Sequence, residues 1–186
     1  MRLADKLTIL RVLLIPIFVA TLIYFNSERA YLKYLAIIIF GIAMLTDYFD
    51  GLVARLKKEK SEIGKVIDPL ADKILLFIAF LTLYLLRNSL PLKYKIPLWF
   101  VFLVVSRDII ILLGVAVLYF LKIEIEIKPS IFGKLTTFFQ MLTVLFFLLE
   151  IPFFTKFIYK IAAVFTLVSG FEYFSRGIRA INNKSC

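Results

Sequence analysis

The sequence predicts an all-α integral membrane protein with six transmembrane helices and both termini on the cytoplasmic side. Three observations carry that expectation: a composition too apolar for a water-soluble domain, six long apolar runs, and a skewed distribution of Lys and Arg between them. Of the 186 residues, 62% are hydrophobic and 20 are Phe, against about 45–50% apolar in ordinary soluble domains. A chain of this length is expected to form one domain, residues 1–186. A soluble domain of that size cannot hide so much apolar surface, whereas a bilayer accommodates it.

About 20 apolar residues cross a bilayer core as a helix. Candidate spans run over 7–25, 31–53, 64–86, 96–121, 134–150 and 152–175. The first follows Arg2 and Lys6. Arg11 interrupts it and no small-residue cleavage site follows, so it is expected to be a retained helix rather than a cleaved leader. The second and third flank a basic loop, 54–65. The fourth contains Arg107 and Asp108. After it, Ile-Glu-Ile-Glu-Ile at 123–127 alternates like a strand. A lone strand has no partner, so an interfacial loop or the end of the fourth helix is expected instead. Only the Glu150–Pro152 break separates the fifth span from the sixth. An even number of spans puts both termini on one side. The loops on that side carry thirteen Lys and Arg against seven on the other, which makes it the cytoplasmic side.

The net charge is +10. Most of it lies in short segments between apolar runs, a pattern suited to anionic headgroups. Aromatic residues do not interleave with basic ones outside those runs, which argues against nucleic acid as a partner. The chain has no His and a single Cys, Cys186. Imidazole bases, His-ligated metals, Cys-held zinc and an internal disulfide are therefore excluded. Any chemistry must rest on carboxylates, Lys, Arg, Tyr or hydroxyls.

Ionisable groups inside a span are costly, about 3 kcal/mol for Asp at a helix centre. Asp47 and Asp50 nevertheless sit near the end of the second span, and Asp68 and Asp72 near the start of the third. A short basic loop joins the two ends, so all four carboxylates are expected at similar depth, facing the cytoplasm. Asp47, Asp50 and Ala54 share one helix face, as do Gly64, Asp68 and Asp72. Four facing carboxylates repel one another, and a hard divalent cation resolves the conflict. Gly51, Ala54 and Gly64 leave space beside them for a nucleotide or phosphate, and Arg55 offers a bidentate fork. Two plainer readings compete. The carboxylates pair with Arg55, Lys65 and Lys73, or the small residues merely allow close helix packing.

From Asp47 to Asp72 the chain reads D-Y-F-D-G-L-V-A-R, eight residues, then G-K-V-I-D-P-L-A-D. This resembles the signature of the CDP-alcohol phosphatidyltransferases at every defining position, and the likeness extends over most of the chain, including the six-span plan. The resemblance implies a divalent metal, Mg2+ or Mn2+, held by Asp47, Asp50, Asp68 and Asp72. It also assigns Asp72 the role of general base toward the acceptor hydroxyl. It implies CDP-lipid contacts at Gly51, Arg55 and Ser61, with Ala54 and Gly64 giving clearance. Ser61 serves equally well as a helix N-cap. Homodimerisation follows from the same resemblance. The retained first helix fits a multi-pass position in the cytoplasmic membrane, among membrane lipids, and the topology above turns the active site toward the cytoplasm.

Further segments narrow the likeness. K-L-T-I-L-R-V-L-L-I-P, S-R-D at 106–108, F-G-K-L-T-T at 132–137 and the closing S-G-F-E-Y-F resemble the branch that transfers the phosphatidyl group of CDP-diacylglycerol to glycerol 3-phosphate and releases CMP. Asp5 departs from that pattern, standing where relatives carry Asn. A phosphorylated acceptor needs cations. Arg107, mid-span, and Lys134, at the start of the fifth span, are the candidates for its phosphate. The competing readings are an Arg107 pair with Asp108 or Asp72, and a Lys134 that snorkels to the interface. Arg176 and Arg179 read as cytoplasmic anchors. Two alternatives to this function remain. One is a transferase of the same family acting on inositol phosphate, serine or a second lipid. The other is a small cation transporter, whose ion site is expected nearer the membrane midplane.

Overall fold

The structure is a computed structural model that describes residues 3–57, 62–120 and 130–184, with side chains described for 9–46, 73–114 and 130–179. Among these residues the chain is all-helical: α1 (Leu3–Tyr24), α2 (Tyr31–Lys57), α3 (Glu62–Leu85), α4 (Leu98–Phe120), α5 (Ile131–Leu149) and α6 (Pro152–Lys184). Each expected span is a helix, but the ends differ. α2 runs on to Lys57 and α3 restarts at Glu62, both within the expected 54–65 loop, and α6 continues to Lys184. The Arg, Lys and Glu residues that mark the end of an apolar run are themselves good helix formers, so the helix outlasts the hydrophobic pattern. The 123–127 segment lies outside the described residues.

α5 and the Pro152–Arg179 part of α6 are each long and apolar enough to cross a membrane, while Ile9–Tyr24, Tyr31–Thr46 and Lys73–Leu85 are shorter apolar helices. Large apolar side chains also face outward on every helix. On α4, Phe102 (72% exposed), Ile109 and Leu113 form one outer stripe, and Phe100, Val104 and Arg107 form the buried one. Water does not tolerate such continuous apolar faces, and lipid does.

The chain divides into two compact units. The first comprises residues 1–96 and 144–151, with α1 packed on both α2 and α3. Arg11, Ile15, Phe18 and Leu22 make the buried stripe of α1, spaced by the 4-3-4 steps that keep one helix face inward. Phe18 meets Phe40 of α2 with ring centroids 5.5 Å apart. Ala36 and Ala43, both fully buried, flank Phe40 and let the backbones approach.

The break between α5 and α6 belongs to this unit. Glu150 closes α5 by donating its N–H to the Phe146 carbonyl at 3.0 Å, and it takes a left-handed φ of 56°, where Gly is usual. Its carboxylate offsets the strain by accepting hydrogen bonds from Lys33 Nζ at 2.8 Å and from the Lys93 backbone N–H. It thus ties the end of α5 to the start of α2 and to the 86–96 connection. Burial alone would raise the Glu150 pKa. The Lys33 and Lys93 hydrogen bonds, with the charges of both lysines, outweigh it and hold the carboxyl below its ordinary 4.5. A lowered folded pKa means that the stabilisation is fully present above about pH 4.5 and is lost as pH falls through the folded value. Glu150→Ala is expected to destabilise by about 1.5–3 kcal/mol at pH 7. Glu150→Gly should cost less, because it relieves the φ strain. Thermal melts of the two variants in detergent test the order, and a flattened acid limb in both tests the linkage.

The second unit comprises residues 97–143 and 152–186, with α6 packed on α4. Polar groups join α5 to α6. Thr136 donates to the Phe165 carbonyl at 2.9 Å and Gln140 to Thr166 Oγ1 at 3.2 Å. Phe139 stacks on Phe165 at 4.9 Å. Such bonds replace the hydrophobic drive that is missing between helices in lipid.

Candidate functional site

Both halves of the aspartate motif lie in unbroken helix. Asp47, Asp50, Gly51, Ala54 and Arg55 are on α2, and Gly64, Asp68 and Asp72 are on α3. Helical geometry places each Asp pair within about 60° around its axis and about 4.5–6 Å along it. The side chains of these eight residues and of Asp5, and Ser61 altogether, lie outside the described residues. The donor set suits a hard divalent cation, because carboxylates are its natural ligands and the chain offers no His and no second Cys to select a softer metal. Among the described side chains, no group of three or more His, Cys, Asp or Glu stands together.

Arg11, which interrupts the apolar run of the first span, is a further candidate. Arg11 is fully buried, at 0% exposure, on the helix that packs against both aspartate-bearing helices. It lies eight residues into α1, about 12 Å along the axis. Asp47 and Asp50 lie ten and seven residues before the end of α2, and Asp68 and Asp72 six and ten residues into α3, or about 9–15 Å along their axes. An arginine inside an apolar run is itself the signal that could have identified it.

Arg107 occupies the buried face of α4, only 9% exposed. It donates from Nη1 to Asp108 Oδ1 and from Nη2 to Ser169 Oγ on α6, both at 2.6 Å. The Tyr173 ring lies 5.7 Å from its guanidinium carbon. Its Nε is buried and has no hydrogen-bond partner among the described residues. The pairing with Asp108 weighed from the sequence is thus present, together with two α6 partners that were not anticipated.

Ser130, buried at 3%, caps α5. Its Oγ accepts the Gly133 N–H at 2.9 Å, and its carbonyl accepts the Lys134 N–H at 3.2 Å. Lys134 itself is exposed in that first turn, as a side chain reaching for an interface or an incoming anion would be. Arg176 pairs with Glu172 one turn away at 2.5 Å. With Arg179, Phe132, Val168 and Phe171 these two line an open groove of about 450 Å3.

Residues 1–168 match the family model of the CDP-alcohol phosphatidyltransferases. A probable phosphatidylglycerophosphate synthase of Mycobacterium tuberculosis is 33% identical over 184 residues, covering 96% of this chain and 83% of that protein. A CDP-diacylglycerol–glycerol-3-phosphate 3-phosphatidyltransferase of Bacillus subtilis is 31% identical over 199 aligned positions, covering 98% of each. One of the same description from Aquifex aeolicus is 34% identical over 145 residues, covering 78% of this chain and 74% of that one.

Proposed function

Because the chain belongs to the CDP-alcohol phosphatidyltransferase family, we propose that it transfers the phosphatidyl group of CDP-diacylglycerol to glycerol 3-phosphate, giving phosphatidylglycerophosphate and CMP. The activity class follows from the family. The choice of acceptor draws on relatives described as phosphatidylglycerophosphate synthases. The observation that supports the site most directly is the continuity of α2 to Lys57 and of α3 from Glu62, which makes the motif spacing a helical one.

In this reading Asp47, Asp50, Asp68 and Asp72 hold Mg2+ or Mn2+, which when bound neutralises the pyrophosphate and the charge gathering on departing CMP. Gly51, Ala54 and Gly64 leave room for the nucleotide, and Arg55 and Ser61 contact the CDP-lipid. Asp72 takes the proton from the acceptor hydroxyl as its oxygen attacks phosphorus and the bond to CMP breaks. Arg107 and Lys134 hold the acceptor phosphate. Arg11 offsets part of the negative charge that the aspartates gather at matching depth. The same proposal includes six spans, cytoplasmic termini, a cytoplasm-facing site in the cell membrane and a homodimer.

The test is CMP release in liposomes containing CDP-diacylglycerol and Mg2+, with glycerol 3-phosphate, inositol phosphate and serine compared. We expect glycerol 3-phosphate to exceed the others in kcat/KM by at least about tenfold, a margin worth 1.4 kcal/mol. Preference for inositol phosphate or serine would reassign the acceptor within the family. No CMP release with any acceptor, alongside cation flux, would favour a transporter.

A further inference from the structure

Tyr173 on α6 is in contact with both parts of the chain assigned to the acceptor phosphate. Its ring lies against the Arg107 guanidinium at 5.7 Å. Its hydroxyl accepts the Ser130 N–H at 3.4 Å, and Ser130 caps the turn that carries Lys134. The surrounding backbone is kept lean. A Cβ on Gly133 would stand 3.3 Å from the Tyr173 hydroxyl, and one on Gly170 would stand 3.5 Å from Arg107 Cγ. Added bulk at Gly133 would require Tyr173 or Ser130 to give by a few tenths of an ångström, whereas at Gly170 it would make ordinary contact with Arg107.

The hydrogen bonding of Arg107 is incomplete in a telling way. A guanidinium carries five N–H donors. Asp108 and Ser169 each engage one terminal nitrogen, while buried Nε–H finds no partner among the described residues. A buried donor left unmade is expensive, and an apolar side chain would have packed here at less cost. A residue held on two sides with a buried donor to spare is set up to receive an anionic oxygen.

We propose that Tyr173 and Ser169 are positioning residues: they orient Arg107 so that its free donor meets the phosphate of the acceptor, and Tyr173 keeps that guanidinium in register with the first turn of α5. The proposal rests on the assignment of Arg107 to the acceptor. Neither residue touches the reacting atoms. The consequence is a preference for a phosphorylated acceptor, because its dianionic phosphate brings a strong acceptor oxygen to the donor that Tyr173 and Ser169 hold in place.

The experiment uses the full chain in liposomes and reads KM for glycerol 3-phosphate, KM for CDP-diacylglycerol and kcat separately. Arg107→Ala is expected to raise the acceptor KM at least about 30-fold. Tyr173→Phe keeps the ring but loses the hydroxyl, and Ser169→Ala loses one partner of Arg107. Each should raise the acceptor KM about 3- to 10-fold, leaving the CDP-diacylglycerol KM and kcat within about 2-fold of wild type. In an Arg107→Ala background both should be silent. If Arg107→Ala leaves the acceptor KM unchanged, the acceptor assignment fails and this proposal fails with it. If Arg107→Ala raises it and neither other variant does, or if both substrates lose affinity together, the positioning proposal alone is overturned. Should Tyr173→Phe not fold, Ser169→Ala decides.

Discussion

Asp72→Asn is expected to lower transfer by about 10²- to 10⁴-fold while leaving CDP-diacylglycerol binding within about 3-fold of wild type. The substitution is nearly isosteric, and Asn and Asp have nearly the same helix propensity. α3 therefore keeps its shape, and an oxygen ligand remains. What disappears is the ability to accept a proton when the acceptor hydroxyl attacks. Loss of one negative charge also weakens cation binding, and that effect must be separated from loss of the base. Raising Mg2+ separates them. A missing ligand is compensated by mass action, whereas a missing base is not. Recovery of turnover at high Mg2+ would reduce Asp72 to a metal ligand. Turnover near wild type at the Mg2+ level of the standard assay would remove it from the mechanism altogether.

That prediction was available from the sequence, because the aspartate motif is local and its spacing carries its own geometry. The helices were equally legible, since length and apolarity are properties of a single run. Their ends were not. The basic residues at 54–57 mark the edge of the hydrophobic signal, but they propagate helix. The break at Glu150 was visible, but its cause depends on Lys33 and Lys93, which are remote in the chain. The same limit governs Arg107. Its neighbour Asp108 was foreseeable as a partner, whereas Ser169 and Tyr173 come from a helix more than sixty residues away. Ser61, a possible N-cap in the sequence, lies outside the described residues, and among those described Ser130 caps α5 through its Oγ and Gly133. Sequence spacing identifies what one helix can offer, and only packing shows which helix answers.

Arg11 exposes the boundary between those two kinds of information. It reads as a blemish in an apolar run until its complete burial on the inward stripe of α1 is seen. Arg11→Met keeps most of the length and apolar packing and deletes the charge. If Arg11 offsets the aspartates, its loss leaves excess negative charge within the bundle, and removal of one side of a buried charge arrangement costs about 3–5 kcal/mol. The expected result is a melting temperature several degrees lower in detergent without divalent cation. Saturating Mg2+ should restore much of it, because the cation supplies the missing positive charge and binds only the folded state. Arg11→Lys, which keeps the charge, should lie close to wild type in both conditions. Transfer by Arg11→Met should fall at least about tenfold at low Mg2+ and recover in part as Mg2+ rises. A Met variant as stable as wild type with and without Mg2+ would show that Arg11 is paired elsewhere, and would leave the aspartates to be balanced by metal alone.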